Sequence, residues 1–474
     1  MDELALDDER WRAHWRARVA RCRSRARDGD DDVERTASIE VRPSTRHGRG
    51  VYATKDFARG ECVFIERPLR AMQSEENKEA ATTCQQCFAH VNAVGETIGK
   101  RLLAKARRDD GFARKLLELG ITLGDCEKLA RGEATLPGSE AFAGPRAVAC
   151  AGGCRANAYC SETCAQTAWE EYERLCCVGA RGEATDKRAL EEFYAHARET
   201  NDIFILAARC VANMCLRAKD AARRGIPHDD HDDAGDASTT APSSSGKAVA
   251  ASKEAVEDYA RAPYAVIANA PWWECVAAPE ECDDDVDAEI EFKHTLHALA
   301  SDSLELLRHA WSDEASAFPK FFELDTYARL IGAFELNNLE LVVESPVENY
   351  FLAIDSAPDG EEKRAAMKIT QPLLDALDVD YDTPCLGTAL FSVQSGLNHD
   401  CDPNAEPMKG EKDITGACVI VARRDIAAGE EITMSYLDDD SKSRDERQAA
   451  LIDYGFICRC ARCEEELRRT RRRR

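Results

Sequence analysis

Apolar positions change their period several times along this chain, and each change marks an element. From Ile39 to about Arg70, short apolar runs are broken by glycine, as in Gly48-Arg49-Gly50-Val51-Tyr52 and Arg59-Gly60-Glu61-Cys62-Val63-Phe64-Ile65. That pattern predicts strands joined by tight turns. Between Ile98 and Leu129, the spacing of Leu102, Leu103, Leu116, Leu117 and Leu119 predicts a helical insertion. Helical periodicity returns at Ala189–Leu216 and over 255–345, where Leu304, Leu306, Leu307 and Trp311 precede the apolar stretch Phe334–Val343. Gly387–Val393, Ala417–Ala422 and Glu431–Tyr436 then have the β-branched, alternating character of short strands. Small sheets from both ends of the chain with helices between them predict an α+β fold.

Two stretches carry no such pattern. Residues 1–37 mix Arg-rich and Asp-rich runs, with Trp11 and Trp15 one helical turn apart, and read either as a short amphipathic helix or as unfolded chain. Residues 217–253 are acidic and low in apolar content, which predicts a disordered linker whose His228 and His231 are solvated.

Composition narrows the function classes. No window of about 18 apolar residues exists, and the opening Met1-Asp2-Glu3 lacks a basic region followed by an apolar run, so neither a membrane partner nor secretion is expected. The 474 residues allow several domains with large cores and no disulfide staples. With 63 Lys+Arg against 88 Asp+Glu, the formal charge of −25 disfavours nucleic-acid binding through the whole surface. An acidic body suits a basic partner such as a Lys-rich tail, and also serves solubility. Nucleic-acid contact is expected only through the Arg-rich end, Arg468–Arg474, which reads equally as a nuclear address or a solvated tail.

The 21 cysteines change the picture most. In a reducing compartment, thiols at short spacing read as metal ligands rather than disulfides. Cys84-x2-Cys87, Cys150-x3-Cys154, Cys160-x3-Cys164 and Cys176-Cys177 supply more thiolates than one tetrahedral zinc can hold, which implies two sites. Cys458-x-Cys460-x2-Cys463 supplies three and needs a fourth ligand, for which Cys401 is the natural candidate. Cys62, Cys210, Cys215, Cys385 and Cys418 read as ordinary buried thiols.

The stretch from Cys150 through Cys154, Tyr159, Cys160 and Cys164 to Trp169 resembles a MYND zinc module. The resemblance implies one site from Cys84, Cys87, Cys160 and Cys164. It implies another from Cys150, Cys154, a histidine after Trp169 and a final cysteine. Here Tyr172 stands where that histidine is expected, and Cys176 falls at the closing position. Either Glu173 or Cys177 supplies the missing ligand, or the second site is weak.

Asn398-His399-Asp400-Cys401-Asp402-Pro403-Asn404, followed by Gly429-Glu430-Glu431-Ile432-Thr433-Met434-Ser435-Tyr436, is the most specific signal. Taken with the Gly48-Arg49-Gly50 turn and the closing cysteines, in this order, it resembles a SET domain with a post-SET zinc tail. The intervening zinc module and helices resemble the SMYD-like branch, and most closely the plant trithorax-related SET proteins. Trp272-Trp273, Phe334–Asn338 and Ser345–Phe351 carry the likeness further, over roughly 38–466. It implies small β-sheets with a pseudoknot, divided as an N-terminal arm (1–37), the SET N-terminal part (38–80), the zinc module with its helical insertion (84–177) and a helical SET insertion (185–345). The SET C-terminal core (346–440), post-SET (441–466) and a basic tail (467–474) follow.

The resemblance also implies S-adenosylmethionine-dependent lysine methylation, with zinc as structural metal. Methyl transfer to an amine is an in-line displacement that needs two collinear substrates and a neutral amine. Tyr436 matches the catalytic tyrosine. His47, Gly48, Arg49 and Gly50 match the cofactor turn, where glycine lets backbone approach closely and Arg49 suits a carboxylate. Asn398 and His399 match the main cofactor-holding pair, with Ser395, Leu397 and Asn338 as further contacts. Tyr454 and Phe456 match the wall of a lysine channel, whose desolvation favours the neutral amine. Asp400 departs from the serine common at its position. The expected substrate is a histone or another Lys-containing protein, acted on by a monomer in the nucleus, with the cytoplasm as second location and transcription factors as further partners. The competing expectation is a catalytically silent or non-histone-directed scaffold in transcription regulation.

Overall fold

The computed structural model describes residues 38–44, 48–154, 156–182, 184–226, 252–265, 267–279, 285–337, 339–408, 415–437, 441–452 and 454–473. His47, Asn338, His228 and His231 lie outside the described residues.

The N-terminal segment forms β1 (Ile39–Ser44), β2 (Gly48–Ala53), β3 (Cys62–Glu66) and β4 (Arg70–Gln73). The cysteine-rich segment contributes β5 (Val148–Ala149) and β6 (Ala158–Tyr159). The C-terminal third adds β7 (Leu339–Val343), β8 (Cys385–Leu390), β9 (Asn398–His399), β10 (Ala405–Met408), β11 (Cys418–Ala422) and β12 (Glu431–Met434). These assemble into sheets ordered β1-β2-β12-β9, β10-β11-β3 and β4-β8-β7, plus the β5-β6 pair. Each of the three larger sheets therefore joins chain ends separated by hundreds of residues. Their apolar faces meet in one core that includes Val51, Phe64, Ile420 and Ile432. The expected α+β fold is present.

Helices fill the middle. α1 (Val94–Arg108), α2 (Asp110–Glu118) and α3 (Leu123–Ala130) form the expected insertion, and α4 (Glu162–Ala168) carries part of the cysteine module. α5 (Ala184–Glu199), α6 (Ile203–Arg224), α7 (Lys253–Ala265), α8 (Val286–Ala310) and α9 (Leu324–Asn337) make a large apolar core that the cysteine module also enters through Cys84, Tyr159, Tyr172 and Leu175. α10 (Pro346–Ser356), α11 (Glu361–Leu377), α12 (Arg444–Leu451) and α13 (Ala461–Arg473) lie in the C-terminal part.

Three boundaries differ from the sequence reading. Leu339–Val343 is a strand and not the end of a helix, because Leu341 and Val343 face the sheet core while Glu340 and Val342 face out. Residues 346–356 and 361–377 are helical and pack through Val347, Tyr350, Phe351 and Leu373 against Val94, Ile98 and Leu102 of the insertion. Finally, α6 continues through Arg224, past the linker start expected at 217, because Ala218 and Ala221 are buried and Lys219 pairs with Glu314 at 2.6 Å.

The cysteine module is keyed into the sheet core by one ring. Phe88, at φ +62, leaves the Cys84–Cys87 turn and is buried among sheet residues. A Cβ on Gly387 or Gly416 would come within 2.5 or 2.4 Å of it, so glycine at both positions makes room.

Candidate active site and metal centres

β12 is the axis of the site. One edge takes β2 antiparallel through Glu431↔Tyr52 and Ile432↔Val51, and the other takes β9 in parallel through Thr433↔Asn398 and Met434↔His399. Gly48–Gly50, which the structure makes the start of β2 and not a turn, the Asn398-His399 pair and Tyr436 are thereby brought together from distant segments. Buried Asn404 holds the register: its Nδ2 donates to the Glu431 carbonyl at 2.8 Å and its Oδ1 accepts the Thr433 N–H at 2.8 Å.

Asn398 Nδ2 donates to the Arg49 carbonyl and, at 2.7 Å, to Glu431 Oε1, tying the start of β2 to β9. Gly48 adopts φ +75, which glycine reaches without steric cost, and a Cβ there would meet nothing within 4 Å. Arg49 is half-buried, and burial lowers its pKa.

His399 is 4% exposed and its ring is bonded at both nitrogens. Nδ1 accepts the Tyr436 N–H at 3.0 Å, so the ring proton sits on Nε2, which faces Cys401 Sγ at 3.3 Å. The Tyr436 hydroxyl donates to the Leu397 carbonyl at 2.6 Å, and burial pushes the phenol up in pKa, keeping it protonated. Around the Tyr436 ring stand His399 at 5.4 Å, Tyr454 at 5.1 Å and Phe456, edge to face, at 6.2 Å between centroids. Ser395 donates to the Phe391 carbonyl, and the Leu397 side chain is buried in the sheet core, so its carbonyl is the group it offers the site. Asp400 is half-buried; desolvation raises its carboxyl to about 6, against a bond from the Asp402 N–H at 2.9 Å.

Among the described residues, three ligand clusters stand in the structure. Cys84, Cys87, Cys160 and Cys164 form the first, with Cys160 3.5 Å from both Cys87 and Cys164. Cys401, Cys458, Cys460 and Cys463 form the second, with Cys401 3.8 Å from Cys458 and 3.6 Å from Cys463. A zinc tetrahedron with bonds of about 2.3 Å has sulfur–sulfur edges of about 3.8 Å, whereas a disulfide is about 2.05 Å. These spacings fit zinc.

The third cluster is Cys150, Cys154, Glu173 and Cys177. Both residues that the sequence offered as alternatives are in it, and Cys176 is not. The reason is helical geometry: the Cys177 N–H donates to the Glu173 carbonyl at 2.7 Å, so these two share a face, while Cys176 turns into the helical core. Tyr172 is likewise turned inward, donating to the Gln85 carbonyl at 2.8 Å. Cys150 Sγ lies 3.6 Å from both Glu173 Oε1 and Cys177 Sγ. Asn157 orients the carboxylate through Oε1 at 2.6 Å, and the buried Oε2 has no hydrogen-bond partner among the described residues, the position a cation would fill. A Cβ on Gly152 would stand 2.5 Å from Cys177 Sγ, so glycine is what admits that thiolate.

Glu66 and Arg447 were missed by the sequence reading. The buried Glu66 carboxylate accepts the N–H groups of Ser392, Val393 and Gln394 at 2.8–3.0 Å, fixing the turn that delivers Asn398. Arg447, 1% exposed, donates to Cys401 Sγ.

A SET domain signature matches residues 262–437. Histone-lysine N-methyltransferase ATXR2 of Arabidopsis thaliana is 37% identical over 456 residues, 91% of each chain. Protein-lysine N-trimethyltransferase SMYD5 of Homo sapiens is 25% identical over 448 residues, 90% of this chain and 87% of the relative. Histone-lysine N-methyltransferase SET5 of Candida albicans is 33% identical over 93 residues, 20% of each chain. The chain belongs to the SET-domain family of protein lysine N-methyltransferases. It is accordingly an enzyme that uses S-adenosylmethionine, and its cysteine clusters have the makeup of zinc centres.

Proposed function

We propose that the protein methylates lysine on histones in the nucleus, with Tyr436 as the catalytic residue. The observation that carries the site assignment is the placement of Tyr436: hydroxyl on the Leu397 carbonyl, backbone on His399, ring against Tyr454. S-adenosylmethionine supplies an electrophilic methyl. The Gly48–Gly50 start of β2 with Asn398 and His399 would hold that cofactor, and the Arg49 guanidinium would suit its carboxylate. The protonated Tyr436 phenol and neighbouring carbonyls orient the target nitrogen, and Tyr454 and Phe456 line the lysine stem. Those aromatic walls disfavour the ammonium form, so the amine arrives neutral. Each cysteine cluster holds one zinc, Glu173 completing the third.

The net charge of −25 favours a basic substrate, and the near full-length likeness to an enzyme named for histone lysine supports the choice. The test is transfer of labelled methyl to a histone panel and to a nuclear extract depleted of histones, with mass readout. Tyr436→Phe is expected to lower kcat about a hundredfold while S-adenosylmethionine still binds. Equal activity of Tyr436→Phe overturns the site assignment, and labelling confined to the depleted extract overturns the histone substrate.

A further inference from the structure

A guanidinium is an expensive group to bury, and Arg447 is buried at 1% exposure with every bond directed at the tail cluster or its frame. Its Nε donates to Cys401 Sγ at 3.3 Å, and its Nη2 to Cys463 Sγ at 3.6 Å and Glu466 Oε2 at 2.8 Å. Nη1 donates to the Lys442 carbonyl at 2.7 Å, anchoring the group to the start of α12. Four thiolates on one zinc leave a net charge of about −2, so a buried cation in contact with two of the sulfurs is electrostatically suited to them.

Cys401 Sγ is the meeting point of two donors. Arg447 Nε approaches it from the tail and His399 Nε2 from the active site, each at 3.3 Å. On the far side of the same imidazole, Nδ1 accepts the Tyr436 N–H at 3.0 Å. The Tyr436 hydroxyl then closes on the Leu397 carbonyl, one residue before Asn398. A continuous series of contacts thus runs from the Arg447 guanidinium to the Tyr436 phenol. In its central link the Tyr436 N–H makes Nδ1 the acceptor, which leaves Nε2–H directed at the Cys401 sulfur.

We propose that Arg447 is a positioning residue for methyl transfer: by fixing the Cys401 sulfur it fixes the orientation of the His399 ring, and through it the placement of Tyr436. This rests on the reading of Tyr436 as the catalytic residue. Groups that orient metal ligands in this way typically matter ten- to a hundredfold.

The experiment uses the full-length, zinc-loaded protein and compares wild type, Arg447→Lys, Glu466→Gln and Tyr436→Phe. Zinc per chain is measured by native mass spectrometry, zinc loss by transfer to a chromogenic chelator, cofactor Kd by calorimetry, and kcat and KM on one methylated substrate. Zinc-replete Arg447→Lys is expected to lose about tenfold in kcat, with cofactor Kd and substrate KM within about twofold, and to release its tail zinc faster. Glu466→Gln, which removes the charge from the acceptor of Nη2 and so weakens that bond, moves kcat in the same direction by a smaller factor. Should Arg447→Lys fail to hold zinc, the Glu466→Gln comparison alone decides. Wild-type kcat in zinc-replete variants, or a loss confined to KM, overturns the proposal. If Tyr436→Phe is fully active, the catalytic reading is what fails, whatever Arg447→Lys does.

Discussion

The Glu66 carboxylate accepts the Val393 amide through both of its oxygens, at 3.0 and 2.9 Å. The same group takes the Ser392 and Gln394 amides, so one buried carboxylate gathers three consecutive backbone donors of the turn leading to Asn398. Glu66→Gln presents an amide NH2 to those donors and removes the charge. Destabilisation of about 2–3 kcal/mol is expected, together with weaker cofactor binding because Asn398 is delivered by that turn. Urea midpoints and calorimetric Kd values for wild type and variant check both effects; unchanged stability would show that the turn does not depend on the carboxylate.

The three clusters among the described residues imply three zinc ions held by these ligands in the wild-type protein. Cys177→Ser and Glu173→Ala should each lower the count toward two, whereas Cys176→Ser should leave it at three, since the Cys176 thiol is buried in the helical core away from the cluster. Inductively coupled plasma measurements on purified variants check this. Zinc loss on Cys176→Ser with retention on Cys177→Ser would reverse the assignment.

What was readable in the sequence divides along physical lines. Asn398, His399, Tyr436 and Gly48 were singled out by the order of motifs resembling a SET domain, whereas the paired cysteines were legible because their spacing along the chain is itself the constraint on ligand pairs. The choice between Cys176 and Cys177 was not, because adjacent helical residues point about 100° apart and the helical register across Trp169–Glu173 is π rather than α. Glu66 and Arg447 were invisible for another reason. Glu66 acts on amides more than three hundred positions away and Arg447 on a thiolate 46 positions away, and no local pattern announces such a partner. Residues 346–377 were a missed opportunity: Val347, Tyr350, Phe351 and Ile354 have helical spacing, Pro346 sits at the first turn, and Ser345 caps it.

His90 makes the fold sensitive to acid. It is fully buried, and desolvation, with Arg101 and Lys100 adding repulsion, lowers its pKa to about 4 from 6.5. Between those values the unfolded chain binds a proton that the folded chain refuses, so stability is lost as pH falls from about 6.5 to about 4. The contribution amounts to roughly 3 kcal/mol over that window. Thiolate protonation adds its own acid loss in wild type and variant alike, so the diagnostic quantity is the difference: His90→Gln should show a shallower fall in urea midpoint over the same pH range. Parallel curves would remove His90 as the cause.

Gly50 is required by Glu431. A Cβ built on Gly50 would lie 2.3 Å from Glu431 Oε1 and 3.1 Å from Asn398 Nδ2, while the Glu431 carboxylate is held by Asn398 at 2.7 Å and by the Ser44 hydroxyl at 3.3 Å. The obstruction comes from side chains and not from backbone, so Gly50→Ala should fold, at a cost of about 1–2 kcal/mol, with the Glu431 carboxylate displaced. Asn398 then loses its charged acceptor, a bond of about 1.5–3 kcal/mol, and the start of β2 loosens from β9. Cofactor Kd should rise about tenfold or more by that energy. A double-mutant cycle separates this route from a direct collision between the new methyl and the cofactor. In a Glu431→Ala background, where no carboxylate obstructs the methyl, Gly50→Ala should change the Kd by less than about twofold. An undiminished tenfold effect there would mean that the methyl meets the cofactor itself and that Glu431 is a bystander.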